Sequence, residues 1–215
     1  AFATASVTRA QQAIASGAFK AEITPVAVTS RGAQRLVDTD EGPGKIKLDK
    51  IATLKPAFKK DGTVTAASSS SINDGAAAMV LMRASTAARL GCAPLARIAA
   101  HATHAQEPEW FSTAPIGATQ KALAKAGWQV GEVDLWEINE AFAVVPMALM
   151  HDLQVPHDKV NVNGGACALG HPVGASGARI MVTLMHALKA RGLKKGLATL
   201  CIGGGEATAL ALEML

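Results

Sequence analysis

Two residues in this chain are placed by type and setting to move protons. His171 stands in Gly170-His171-Pro172, inside the glycine-dense run Asn161-Val-Asn-Gly-Gly-Ala-Cys-Ala-Leu-Gly-His-Pro-Val-Gly-Ala-Ser-Gly-Ala-Arg179, and Cys201 opens Cys201-Ile-Gly-Gly-Gly205. Glycine carries an entropic cost, so its concentration around two groups that titrate near neutral pH points to a backbone that approaches a ligand closely. The His171 imidazole, restricted on one side by Pro172, can serve as a base or as a hydrogen-bond donor. A Cys201 thiolate could abstract a proton, while the N–H groups of Gly203 and its neighbours stabilise an oxyanion.

Each residue also has a plainer use. His171 could be a histidine satisfied in a packed turn, and Cys201 a buried cysteine before a tight turn. Asn139 and Glu140 fall at a strand-to-helix junction, where Asn139 either caps the helix or presents its amide to a substrate or an ordered water. Cys167, His171 and Cys201 do not read as zinc ligands: Cys-x3-His has no second close pair, and glycine loops require no metal. His101 and His104 are read as surface or core residues, and His151, His157 and His186 carry no signal.

The elements that must position these groups alternate between helix and strand. A helix over about 8–18 closes at Gly17, and 22–29 alternates apolar and polar side chains as a strand does. The pattern loosens from 30 to 65, where Gly42-Pro-Gly-Lys45 is a turn signal without the spacing of a phosphate loop. The apolar run from Ile72 to Met82 suits a buried strand. A helix over 85–90 stops at Gly91, and a strand restarts at 94–100. Further on come a helix over 115–127, a strand over 133–138 and a helix from Asn139 that Pro146 should bend. A short strand over 159–163, a long apolar helix over 175–190 and strands over 196–202 and 208–214 complete the pattern. The fold class is α/β, with a domain boundary near Cys92.

Composition narrows the setting. At 215 residues, 49% hydrophobic and 18% charged, the chain can bury a sizeable core. Three widely spaced cysteines make no disulfide framework, which places the protein in a reducing compartment, the cytosol. The net charge of +4 comes from scattered lysines and arginines, with no tyrosine and 4% aromatics, so no nucleic-acid partner is expected. No apolar run approaches the roughly 20 residues that span a membrane. The chain opens on Ala1-Phe-Ala-Thr-Ala without an initiator methionine, which reads as the middle of a longer or processed polypeptide.

Asn139-Glu-Ala-Phe142, Asn161-Val-Asn-Gly-Gly165, Gly170-His-Pro172, Gly174-Ala-Ser-Gly-Ala-Arg179 and Cys201-Ile-Gly-Gly-Gly205, taken together, resemble the C-terminal half of a thiolase. The likeness continues upstream through Lys55-Pro-Ala-Phe58, Gly62-Thr-Val-Thr65 and Asn73-Asp-Gly-Ala-Ala77, and so covers essentially the whole chain. It implies a layered αβαβα architecture, of which this chain supplies the C-terminal half and part of the loop domain. Residues 1–71 would be loop domain, 72–92 would complete the N-terminal half, and 93–215 would form the C-terminal domain.

By the same resemblance the reaction is a ping-pong Claisen exchange between acyl groups on coenzyme A, with CoA thioesters as substrates and no separate cofactor or metal. His171 would activate a nucleophilic cysteine. Cys201 would act as the acid and base at the α-carbon and the leaving thiolate, while Asn139, through a water, and the Gly203 N–H would serve two oxyanion holes. Ser70, Phe58, Phe142 and Phe111 would line the substrate tunnel.

The departures are as informative as the matches. The nucleophilic cysteine of thiolases has no counterpart, since Cys92 and Cys167 stand at positions that do not match it. The resemblance therefore implies a partner, an N-terminal thiolase half carrying that cysteine, with the complete unit forming dimers or tetramers. Glu206-Ala-Thr follows Gly205 where the family commonly has Met-Gly, Trp110-Phe111 replaces another frequent Met-Gly, and Lys45 falls where many relatives place an arginine near the CoA nucleotide. Glu107-Pro-Glu-Trp-Phe111 and Trp-Glu-Ile before Asn139 look nearer the acetoacetyl-CoA type. A competing reading is a non-catalytic thiolase-like subunit that binds acyl-CoA or scaffolds a complex.

Overall fold

Small side chains let one helix lie close on the sheet. In the computed structural model, which describes residues 1–215, α5 (Ala114–Ala126) buries Ala114, Ala118 and Ala122 at intervals of four, against Ala100, Ala102, Ala207, Ala209 and Ala211 of the strands beneath. That sheet has four strands, β3 (Ala96–Ala105), β4 (Leu135–Ile138), β5 (Lys195–Cys201) and β6 (Glu206–Met214), in the order β3-β6-β5-β4. β4 and β5 run parallel and the other pairs antiparallel. On the opposite face α8 (Ser176–Arg191) packs Ile180, Leu184 and Leu188 against Leu135, Ala198 and Leu212. With α6 (Val144–Leu153) beside α5 the result is a three-layer α/β/α body. Each large aliphatic side chain buried here contributes about 1.5–3 kcal/mol relative to exposure.

The preceding part wraps one end of that body. The helix α1 (Phe2–Ser16) begins six residues earlier than the sequence pattern suggests and buries Phe2, Ala3, Val7, Ala10 and Ala13 before Gly17 ends it. The strands β1 (Val26–Ser30) and β2 (Ala33–Val37) form a hairpin exposed on both sides, turned by Arg31 (φ 50°) and Gly32 (φ 79°), the positive pair of a two-residue hairpin loop. Three short helices, α2 (Gly42–Lys45), α3 (Leu48–Ile51) and α4 (Ala84–Leu90), and the single turn α7 (Ala166–Leu169) complete the inventory.

Three expectations are corrected. Ile72–Met82 is not a buried strand: it runs extended with no ladder, bridged only at Ile72 to His171, and Ile72, Val80 and Leu81 are exposed at 93%, 87% and 67%. Met79 alone of its large side chains packs inward, against the α8 core, because no strand of this chain lies beside the segment. Residues 159–163 are not a strand either, since Asn161 adopts φ 47°, which breaks extended backbone after the one bridge from Val160 to Trp136. Asn139 does not start a helix. The helix begins at Val144, and Pro146, in its first turn where no intrahelical N–H bond is lost, does not bend it.

Candidate active site

The parallel strands β4 and β5 end at the same edge of the sheet, where open α/β folds gather their chemistry. Asn139 follows β4 and its N–H donates to the Thr199 carbonyl at 2.9 Å, so Asn139 stands beside the end of β5, where Cys201 sits. His171 arrives from the loop between α7 and α8, and its own N–H donates to the Ser71 carbonyl at 2.8 Å. Gly170 makes this approach possible. It has φ 89°, and a Cβ there would collide with the Asn73 side chain.

The imidazole is held from both ends. Its Nδ1 lies 2.6 Å from the Ser176 hydroxyl, and that hydroxyl donates to the Pro172 carbonyl at 3.1 Å. With the hydroxyl proton on the Pro172 carbonyl, Ser176 accepts from the ring, so that Nδ1 carries the proton and Nε2 keeps its lone pair. The Asn139 amide nitrogen faces Nε2 across 3.3 Å, while the Asn139 carbonyl oxygen is buried without a protein partner. Burial, and then the nearby Arg179 charge, push the His171 pKa below the usual imidazole range. The ring is therefore a neutral base at pH 7. Asn139 uses its side chain here and not as a helix cap.

Cys201 is buried, and that burial pushes its thiol up to about 11. It rests as a proton donor. In the turn beyond it, the N–H groups of Gly203 and Gly204 donate to no protein acceptor, and the space above Gly203 is open. Gly205, at φ 94°, lies against the Gln106 carbonyl and closes the turn back onto Ile202.

Three aromatic rings meet alongside. Phe142 packs edge-on against Phe58 and Phe111, with ring centres 6.5 and 6.3 Å apart. Phe58 is 75% exposed, so this trio forms one wall with an open side. Ser70 is tied to the Ala141 carbonyl through both its N–H (3.0 Å) and its hydroxyl (2.9 Å), which sets the strap 68–72 between Phe142 and His171. Lys45 points away, paired with Glu41 at 2.9 Å in solvent.

Sequence reasoning singled out neither Ser176 nor the support beneath the site. Glu140, fully buried, accepts from the Ser6 hydroxyl (2.7 Å), the Asn161 amide (2.8 Å) and the Cys167 N–H (3.0 Å). It ties α1, the 161–165 turn and α7 to the end of β4. Burial first, then the Glu140 charge, raise the Cys167 thiol well above the ordinary range, which makes that cysteine inert. Serine five residues after the histidine of Gly-His-Pro, at the start of an apolar helix, is the signal that could have found Ser176. No group of three or more His, Cys, Asp and Glu side chains is arranged to hold a metal ion.

Comparison with known proteins gives the family of this chain. The family model "Thiolase, C-terminal domain" matches residues 92–214, and "Thiolase, N-terminal domain" matches residues 1–85. The chain is 53% identical to an acetyl-CoA acetyltransferase of Chromobacterium violaceum over 215 residues, covering 99% of this chain and 55% of that protein. Among solved structures, the Bacillus anthracis acetyl-CoA acetyltransferase superposes with a TM-score of 0.95 at 45% identity, covering 99% of this chain and 54% of the other. Human mitochondrial 3-ketoacyl-CoA thiolase does so at 0.90 and 34%, covering 100% and 54%. The chain thus spans about half the length of the relatives it matches, and it belongs to the thiolase family.

Proposed function

We propose that this chain is the acid-base portion of an acetyl-CoA acetyltransferase, catalysing the reversible Claisen condensation of two acetyl-CoA to acetoacetyl-CoA and CoA. The nucleophilic cysteine would come from a further thiolase N-terminal portion, beyond residues 1–85 of this chain that match the N-terminal domain model. The observation that carries the reading is the His171 relay. With the ring proton on Nδ1 toward Ser176, the Nε2 lone pair, met here by the Asn139 amide, is the one that would accept the nucleophile's proton.

The proton balance closes once that cysteine is supplied. His171 takes the proton of the nucleophilic thiol as that sulfur attacks the first acetyl-CoA, and the Cys201 thiol protonates the departing CoA thiolate. The Cys201 thiolate then removes an α-proton from the second acetyl-CoA, and the resulting carbanion attacks the acyl-enzyme carbonyl. As the C–C bond forms, the nucleophile's sulfur leaves and recovers its proton from His171. Each oxyanion needs a donor. Asn139, through a water, together with His171 would serve one, and the uncommitted Gly203 N–H the other. Phe58, Phe111 and Phe142 offer an apolar wall to a pantetheine arm, with Ser70 on the strap beside them, and CoA is substrate, not cofactor.

The names of the matched relatives support the short-chain substrate, and we place the working unit as a dimer or tetramer in the cytosol. No helix is long and apolar enough to cross a membrane. Thiolysis of acetoacetyl-CoA, assayed with this chain alone and then with an N-terminal thiolase portion supplied, tests the proposal. Activity only in the reconstituted protein is expected, and none in either would overturn it.

A further inference from the structure

Outside the relay, one buried carboxyl–guanidinium pair joins the two elements that carry the site. Glu137, in β4 two residues before Asn139, is 2% exposed, and its carboxylate lies 3.5 Å from the guanidinium of Arg179 in the first turn of α8. Alternate residues of a strand share a face, and residues three apart share a helix face. Glu137 and Asn139 therefore face Arg179 and Ser176. Two rungs connect strand to helix: Glu137 to Arg179, and Asn139 to Ser176 through the imidazole, at 3.3 and 2.6 Å.

We propose that Arg179 is a positioning residue: its pairing with Glu137 holds the first turn of α8 against the end of β4, and so fixes the separation of the His171 ring from the Asn139 amide. The inference rests on the reading of His171 as the base. Burial pushes the Glu137 carboxyl up to about 8 while the Arg179 guanidinium pulls it back down, so the group depends on that cation and the pair specifies one spacing where apolar side chains would tolerate several. Arg179 is shared. Its charge also acts on Glu22 and Asp40 from the loop region, and Glu22 accepts from Thr183, one turn further along α8. These carboxylates tie the same helix turn to residues 1–71.

The groups facing His171 are Asn139 from β4, Ser176 and Arg179 from α8, and the Ser71 carbonyl from the strap, with Asp74 lining the cavity beside Pro172. Of these, Arg179 is the cation whose field opposes protonation of the ring. Its removal should misplace the ring and make it easier to protonate, whereas a purely structural role predicts only a loss of folded protein.

The test uses the protein reconstituted with its N-terminal portion, in the variants Arg179→Met, Arg179→Lys and Glu137→Gln. For Arg179→Met we expect kcat for acetoacetyl-CoA thiolysis to fall about 10- to 100-fold with KM little changed, because small misplacements of a reacting group cost this much. The His171 ring, followed by NMR with labelled histidine, should titrate at higher pH. Arg179→Lys should recover most of kcat and the wild-type titration. If Arg179→Met does not fold, Glu137→Gln carries the test, read at pH 9 where the wild-type carboxyl is ionised, with a kcat loss of several-fold in a folded protein. An unchanged His171 titration, or losses that only track the folded fraction, overturns the proposal. An inactive wild-type reconstitution would instead overturn the function proposed above, so the two failures are separable.

Discussion

The Ser176 hydroxyl sits 2.6 Å from His171 Nδ1 and 3.1 Å from the Pro172 carbonyl, and with its proton on that carbonyl a single serine settles which nitrogen of the ring is basic. Ser176→Ala removes that decision. In the reconstituted enzyme kcat for thiolysis should fall about 10- to 100-fold, with KM for acetoacetyl-CoA nearly unchanged, because positioned proton transfer carries rate enhancements of that order. An equal rise in KM would show that Ser176 shapes the substrate site instead.

The pH profile should be asymmetric. The His171 pKa lies below the ordinary 6.5, so the base is lost only as pH falls through the range beneath it. The Cys201 thiol, pushed up to about 11, keeps its proton throughout the neutral range and loses it only in strong alkali. Thiolysis rates measured from pH 5 to 10 should therefore show an acid limb below pH 6.5 and a broad plateau above it. A midpoint at 7 or higher would contradict the neutral base.

The two buried cysteines should part company. Cys201→Ala should lower condensation at least about 10³-fold, since it removes the group that both gives and takes the proton. Cys167→Ala should leave activity largely intact. It keeps the backbone N–H that Glu140 accepts and loses only a weak thiol contact to the Glu140 carbonyl at 3.9 Å. Equal losses would undo these roles.

Glu140 should matter to the fold before the chemistry. Glu140→Ala strands three buried donors, on Ser6, Asn161 and Cys167, at about 1–3 kcal/mol each, so a total loss of roughly 3–9 kcal/mol is expected in denaturant unfolding. A loss under about 1 kcal/mol would mean that water replaces the carboxylate.

Glu22 has the opposite sign. Burial raises its pKa to about 7 from an ordinary 4.5, so the folded state holds its proton more tightly than the unfolded chain. Its contribution is fully present below pH 4.5 and is lost as pH rises through 7. Glu22→Gln should accordingly raise the unfolding midpoint at pH 8.5, by roughly 1–2 kcal/mol for this partly solvated group, and do little at pH 4.5. Thermal scans at the two pH values decide it.

Much of this was legible from residues alone where a signal was local. The closing glycines Gly17, Gly91, Gly127 and Gly192 all end helices in the left-handed conformation, and the strand and helix alternation after Cys92 matches the observed sheet closely. His171, Cys201 and Asn139 announce themselves by their glycine-rich or junction settings. What escaped was non-local. Ile72–Met82 has the composition of an interior strand, and composition cannot reveal that no neighbour lies alongside it. Ser176, Glu140 and the Glu137–Arg179 pair act through partners that only the fold brings near. The β1–β2 hairpin was half missed because its strands bury neither face, so no alternation marks the second one.

The contacts of α1 also bear on how the protein is made. Ser6 meets Glu140 across 134 positions, Arg9 meets the Val160 carbonyl across 151, and the Gly165 N–H meets Ser6 across 159. During synthesis α1 leaves the ribosome long before any of these partners exists, and closing such long loops is slow. The helix is translated well before the partners that bury it, and its apolar stripe of Phe2, Val7, Ala10 and Ala13 waits uncovered meanwhile, a surface that chaperones would be suited to shield.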